Sequence, residues 1–434
     1  MMLPRSYISG FECLNMKKII RSVISLILFA VLLVCSTSAV SDLLRDRVNT
    51  SKYDRFYSEK EDFDVLFFGS SRVLDGVAPM QLWKDYGIRS YNMAQHNENV
   101  LVSYWQLKNA LNYQTPKVVF FDVSLFSANI VTPDSEKGLQ AYLHKSLDHM
   151  PFGITKIQAV NALTDGYDLN EYLFPLAIYH NRWSTLDEEA AVPEQTFMGG
   201  EDRIKLEYQL VGAWDDSLVL DRDAFNPDLL GMNDVIELCR EHDVDVVFTC
   251  VPAAGEKNQS YFYPAINGFA KYFEEKGVPF LNFCRDDLFI NGRTDYADGT
   301  HLNPSGSRKL TQAFGEYLVS NYTFDEPDAE TKAVWDEDYE KYVLTRTGEI
   351  LGCIGNEDVY GYLMLISGTE EFSVKVLVPS EDYDLDRRIK NFLFDMGFFP
   401  DSYMVDPTSD VVLLRLVDLR SSSVVAEMRL PAQT

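Results

Sequence analysis

The sequence predicts an α/β fold, a parallel sheet in a three-layer αβα sandwich over residues 63–320, with a small β-rich domain after it. Two observations carry this. Short continuous apolar runs, such as Val65-Leu66-Phe67-Phe68 and Lys117–Val123, alternate with stretches of helical period such as Asn99–Tyr113. Such runs suit strands buried on both faces, the usual condition of a parallel sheet. Beyond residue 340 the texture turns to β-rich stretches around a serine-rich turn.

The elements follow in order. Lys17, Lys18 and Arg21 precede an apolar run from Val23 to Val34, and small polar residues follow it. That is the layout of an export signal. Ile19–Cys35 spans 17 residues, at the lower edge of a membrane-crossing length. Residues 1–41 are therefore expected to stay as a single N-terminal anchor, basic end inside and the rest extracytoplasmic. Secretion after cleavage near Thr37-Ser38-Ala39 is the alternative. Met16 before Lys17-Lys18 resembles a start site.

Strands are expected at Val65–Phe68, Ile88–Met93, Lys117–Val123, Val244–Val251 and Pro279–Phe283. Helices are expected at Asn99–Tyr113, Asp228–His242, Tyr261–Lys276 and Ser305–Ser320. Residues 127–227 break the rhythm and read as an insertion over the carboxyl ends of the strands, with helices at Glu136–Leu147 and Thr155–Leu163. Asp325–Glu340 holds eight acids against one Lys, so it reads as a solvated linker. Residues 341–434 are expected to form the β-rich domain. Its strands are Val359–Ser367, Phe372–Pro379 and Val411–Met428, the last with a hairpin turn at Arg420–Ser423. Asp382–Met396 is its helix, and its texture suggests a glycan-binding or docking module.

Composition narrows the function. The chain is 46% hydrophobic and 24% charged, which suits a packed core rather than a disordered chain. A net charge of −27 argues against nucleic acid as a partner, since clustered Lys and Arg are what release its counterions. The six cysteines form no CxxC pair and the six histidines are scattered, so neither a metal nor a cofactor is expected.

Two loops carry the chemistry. Gly69-Ser70-Ser71-Arg72 follows the first strand, where a glycine turn and a helix N-terminus expose a hydroxyl beside backbone donors. Asp298-Gly299-Thr300-His301-Leu302-Asn303-Pro304 precedes the last helix. A His three residues after a carboxylate can serve as base to a serine while the carboxylate orients it. Without catalysis, Asp298 and Ser305 would be turn and capping residues and His301 a packed ring.

Together these loops resemble the SGNH (GDSL-like) hydrolase superfamily over about residues 63–320, with Gly69-Ser70-Ser71 standing for Gly-Asp-Ser. The resemblance implies a flavodoxin-like parallel sheet, Ser71 as nucleophile, His301 as base and Asp298 as orienting carboxylate. The export signal, the GSSR motif and the Tyr-His-x-Arg-Trp insertion resemble the membrane-anchored branch near the D-alanyl-lipoteichoic acid biosynthesis protein and the alginate O-acetyltransferase group. That implies acyl transfer or hydrolysis on a cell-envelope polysaccharide or teichoic acid, beside a membrane-bound O-acyltransferase.

The resemblance also implies oxyanion donors at Ser71 and near Asn97, where the family has a glycine. The family's third block, Gly-x-Asn-Asp, has no counterpart in VVFFDVSLFS, which leaves Ser124 as the replacement donor. Arg72, His180, Arg182 and Trp183 are candidate substrate contacts, through guanidinium forks and an indole face. His144, His149 and His242 read as surface residues. The competing reading is a non-catalytic envelope-assembly protein that binds a glycan or a membrane acyltransferase.

Overall fold

The structure, a computed structural model, describes residues 6–44, 47–124, 136–164, 169–174, 176–184, 197–212, 214–220, 231–254, 262–285, 290–354, 371–395, 397–419 and 421–430. They divide into two units, residues 1–50 with 160–193 and residues 51–159 with 194–434.

In chain order the helices begin with α1 (Ser6–Leu44), α2 (Arg47–Ser58), α3 (Ser71–Gly76), α4 (Pro79–Tyr86) and α5 (Val100–Ala110). Next are α6 (Glu136–Leu147), α7 (Ile154–Leu163), α8 (Leu169–Leu173) and α9 (Leu176–Tyr179). Then come α10 (Met232–Glu241), α11 (Phe262–Lys276), α12 (Pro304–Asn321), α13 (Ala329–Ile354) and α14 (Arg387–Asp395). The first five strands are β1 (Val65–Phe68), β2 (Ser90–Asn92), β3 (Val118–Asp122), β4 (Asp245–Cys250) and β5 (Phe280–Asn282). The others are β6 (Phe372–Val378), β7 (Met404–Val405), β8 (Val412–Asp418) and β9 (Ser423–Leu430).

In the first unit, Lys18–Ser41 of α1 is long and apolar enough to cross a membrane or to act as a signal. It carries apolar residues all round rather than on one stripe, and its side chains up to Val40 are exposed. α9 packs against α1.

The second unit holds a five-stranded, all-parallel sheet in the order β2-β1-β3-β4-β5. Alternation along the strands sends side chains to two separate apolar clusters. Val65, Phe67, Val118, Phe120 and Val247 join Leu310, Phe314 and Leu318 of α12. Leu66, Phe68, Val119, Phe121 and Phe248 join Leu107 of α5, Val235 of α10 and Phe269 of α11. Burial of both sets of side chains in these clusters explains the unbroken apolar runs. Phe120 stacks on Phe67 at 5.1 Å and meets Phe314 edge-on at 4.9 Å. Phe120→Ala is expected to cost about 3–5 kcal/mol, read as a lowered urea midpoint with an unchanged slope.

Strand order reverses direction between β1 and β3, the place on a parallel sheet where loops leaving the carboxyl ends diverge. The GSSR turn leaves β1 there, and the Asp122–Ser124 turn leaves β3.

A second sheet, β7-β6-β8-β9, lies in the C-terminal region, with β6/β8 and β8/β9 antiparallel. The hairpin turn between β8 and β9 has Ser422 at φ 56°. The expected strand at Val359–Ser367 lies outside the described residues, as does about a third of the 127–227 insertion.

Three expectations need correction. Asp325–Glu340 is not wholly a solvated linker: from Ala329 it is the first half of α13, and Trp335 is buried among Phe63 and Trp83. The apolar residues Trp335, Tyr342, Val343 and Ile350 recur at helical spacing beneath the acids. His149 is buried, its ring stacked 5.3 Å from Tyr53. β2 and β5 are only three residues long, although outer residues still bond the neighbouring strand, Met93 N–H to Phe67 O and Phe283 N–H to Cys250 O.

Candidate active site

The turn after β1 is built by close approach. A Cβ at Gly69 would stand 2.9 Å from Asp122 Cβ and 2.7 Å from Val73 Cγ2, so no larger residue fits. Ser70 then caps α3, its side chain accepting from the Arg72 N–H at 3.4 Å. Ser71 is thereby the first residue of α3, at the positive end of that short helix and outside the sheet edge.

The loop before α12 comes to the same edge. Asn303 caps α12 by accepting from the Ser305 and Gly306 N–H groups, while its amide donates to the Thr294 carbonyl at 2.7 Å. Asp295, fully buried, takes hydrogen bonds from Asn291 N, Ser305 Oγ and Lys309 Nζ. The loop is thus held at both ends, and Asp298 and His301 sit between.

Ser71, Asp298 and His301 meet, across 230 residues of chain for the first and last. His301 Nδ1 lies 2.9 Å from both oxygens of Asp298, and its Nε2 accepts from the Ser71 hydroxyl at 2.8 Å. The Thr300 and His301 N–H groups donate to Asp298 Oδ1 at 2.8 and 3.0 Å, and so does the Thr300 hydroxyl. Burial pushes Asp298 up, but these hydrogen bonds and His301 outweigh it and hold the carboxyl at about 2. Burial also lowers His301; Asp298 pulls it up while the Arg203 and Arg72 charges push it down, and the net is below the ordinary histidine value. At neutral pH the ring is a free base facing a serine hydroxyl.

Arg203 escaped the sequence reading. Its guanidinium bridges two carboxylates, Nε 2.5 Å from Asp75 Oδ2 and an Nη 3.6 Å from Asp298 Oδ2. Burial pushes Asp75 up to about 7 even so. Residues 198–209 bring Arg203 there. Met198 accepts from Asn92, Glu201 donates to the Leu74 carbonyl, and Glu207 and Gln209 donate to Tyr296 and Gly292. At Gly199 (φ 84°) a Cβ would lie 2.2 Å from the Asn92 carbonyl oxygen, so only glycine permits this crossing. No hydrophobic period marks such an extended segment, so nothing in the sequence signalled it.

The other expected residues fare differently. Asn97 is exposed and left-handed, with φ 54°. Its loop is tied to the turn after β1 by Gln95 N–H donating to Gly69 O at 3.1 Å. Next to it, buried Glu98 accepts from Ser103, Gln106 and Ser146, and burial pushes it up to about 8. Ser124 does not fit the donor role. It is fully buried, and both its hydroxyl and its N–H are given to Asp122. Arg72 does not reach outward either: it is buried and donates to the Ser124 carbonyl at 3.1 Å.

His180, Arg182 and Trp183 belong to the other unit. There His180 Nδ1 lies 2.9 Å from the Ala177 carbonyl, Arg182 donates to the Leu44 carbonyl, and Trp183 is exposed. Cys250 and Cys284 are buried with their sulfurs 3.5 Å apart. Among the described residues no cluster of three His, Cys, Asp or Glu is arranged to hold a metal ion. Two hollows of about 350 and 550 Å³ lie elsewhere, lined by Asp64, Lys117 and Asp243 and by Trp83, Asp336 and Tyr339 respectively.

Comparison with known proteins adds no relative: no family model matches the chain, and no curated protein matches it.

Proposed function

We propose that this chain is a membrane-anchored, extracytoplasmic serine O-acyl esterase or O-acyltransferase of SGNH type, acting on a cell-envelope polysaccharide or teichoic acid. The single observation that carries it is the Ser71–His301–Asp298 hydrogen-bond chain, 2.8 Å on one side of the imidazole and 2.9 Å on the other. The strand order 2-1-3-4-5 and the two apolar clusters flanking the sheet support a flavodoxin-like three-layer sandwich. The basic residues before the apolar span of α1 support an outward-facing body.

In this mechanism Ser71 Oγ attacks the acyl carbonyl carbon as its proton passes to His301 Nε2. Asp298, ionised throughout, steadies the imidazolium through Nδ1. The oxyanion is met by the Ser71 N–H at the start of α3 and by the Asn97 N–H. The left-handed backbone of Asn97 is the conformation a glycine would supply at that place. The tetrahedral intermediate collapses, the leaving alkoxide takes the proton from His301, and an acyl-Ser71 ester remains. Water or an acceptor hydroxyl, deprotonated by His301, then attacks that ester and frees Ser71.

A fluorophosphonate probe should label the purified protein at Ser71, mapped by peptide mass. Absence of labelling, or labelling at another serine, rejects the proposal. One observation favours the non-catalytic reading: Ser124 gives both its donors to Asp122, so the family's third-block donor has no replacement there. An unlabelled but folded protein would support that reading.

The electrostatics add a pH prediction. Protonated His301 cannot take the Ser71 proton, so kcat/KM should fall as pH drops through the His301 value. Because that value is below 6.5, activity should persist to correspondingly lower pH. The positive charge of Arg203 helps hold it down, so Arg203→Met should move the acid limb to higher pH, measured as kcat/KM against pH.

A further inference from the structure

The Tyr-His-x-Arg-Trp motif at Tyr179–Trp183 is left unused by the proposed reaction. Its surroundings in its own unit indicate another role. The apolar span of α1 ends at Ser41, and 24 residues of helix measure about 36 Å, more than the ~30 Å hydrocarbon layer. Past the same point one side of the helix becomes covered: Ser41 and Leu44 are 5% and 3% exposed while Leu43 stays open, whereas the described side chains from Lys18 to Val40 are all open. The Leu44 carbonyl, at the end of α1, accepts from Arg182 at 3.3 Å. Leu44 stands three residues, about 4.5 Å, beyond Ser41, which is headgroup depth.

On this collar, α9 packs against α1, Tyr172 is buried, and the Arg182 guanidinium sits 5.5 Å from the centre of the Tyr179 ring. Phe174 and Trp183, by contrast, are 61% and 69% exposed. An exposed Trp and Phe beside an Arg at the end of a membrane span have the composition of an interfacial belt, where an indole or benzene ring lies among acyl carbonyls and a guanidinium meets phosphate.

We infer that Phe174 and Leu176–Ser184 form a bilayer-interface collar, in which Trp183 and Phe174 enter the outer headgroup layer of the membrane that α1 crosses and Arg182 fixes the collar to the helix end. The occupant is lipid rather than substrate, because the surface is continuous with the membrane span itself. The inference rests on α1 being kept as an anchor and is independent of the chemistry at Ser71.

Full-length protein and the Trp183→Phe variant are placed in phosphatidylcholine–phosphatidylglycerol nanodiscs, with or without lipids brominated near the top of the acyl chain. Intact mass first establishes that α1 is present. The emission difference between the two proteins isolates Trp183, and bromine should quench it by about two-fold or more. An unchanged difference signal, with quenching by aqueous iodide instead, overturns the collar while leaving the anchor intact. It would also point to a protein or glycan partner for Trp183. A chain that loses α1 on export overturns the anchor and the collar together.

Discussion

Ser71→Ala is expected to lower kcat/KM toward p-nitrophenyl acetate roughly 10⁴- to 10⁶-fold. Removing the oxygen removes the only nucleophile that the described site holds against His301 Nε2. Ser70 cannot take over. It is 1% exposed and occupied as the cap of α3, where its oxygen accepts the Arg72 N–H. Alanine is a good first-turn residue, so α3 should persist and far-UV circular dichroism should match the parent. Initial rates with both proteins decide the matter, and a variant that keeps more than a hundredth of the rate would exclude Ser71 as nucleophile.

The second large effect is expected at Asp298→Asn, about 10⁴-fold in kcat. Four hydrogen-bond donors converge on this carboxylate: the Thr300 and His301 N–H groups, the Thr300 hydroxyl and the imidazole Nδ1–H. An amide offers one acceptor oxygen in place of two. Its NH₂ would favour the tautomer that protonates Nε2, leaving no lone pair for the Ser71 proton. The sign of the pH effect separates this from general damage. Asp298 pulls the His301 value up, so its loss should send the acid limb to lower pH, opposite to Arg203→Met. Parallel pH–rate profiles of the two variants test the pair, and shifts in the same direction would contradict the assigned electrostatics.

Much of this fold was readable in the chain. Runs such as Val65–Phe68 and Val118–Asp122 announce strands buried on both faces, and helical period announces α5 and α12, although the cap of α12 is Asn303 rather than Ser305. The meeting of Ser71 with His301 followed from a topological rule: in a parallel sheet, loops leaving successive strands share one edge. What stayed hidden was whatever depends on distance rather than period. Ser124 looked like a free donor until Asp122 was seen to hold it, and Arg203 arrives on a segment without pattern. In α13 the helical spacing was present, but the acids crowding its first half masked the buried apolar residues. Pro79 and Gly87, the start and stop signals of α4, were likewise in plain view.

α13 has a further consequence for how the molecule can be taken apart. Near its start, Trp335 packs with Phe63 and Trp83, and Asp336 and Asp338 take hydrogen bonds from Trp83 and Arg55. Near its end, Ile350 belongs to the apolar interior of the second sheet. One rod of 26 residues is therefore cemented at both ends. The C-terminal region is a buttress of the body that holds the parallel sheet, and a cut made before Ala329 would leave an open socket where an indole had been.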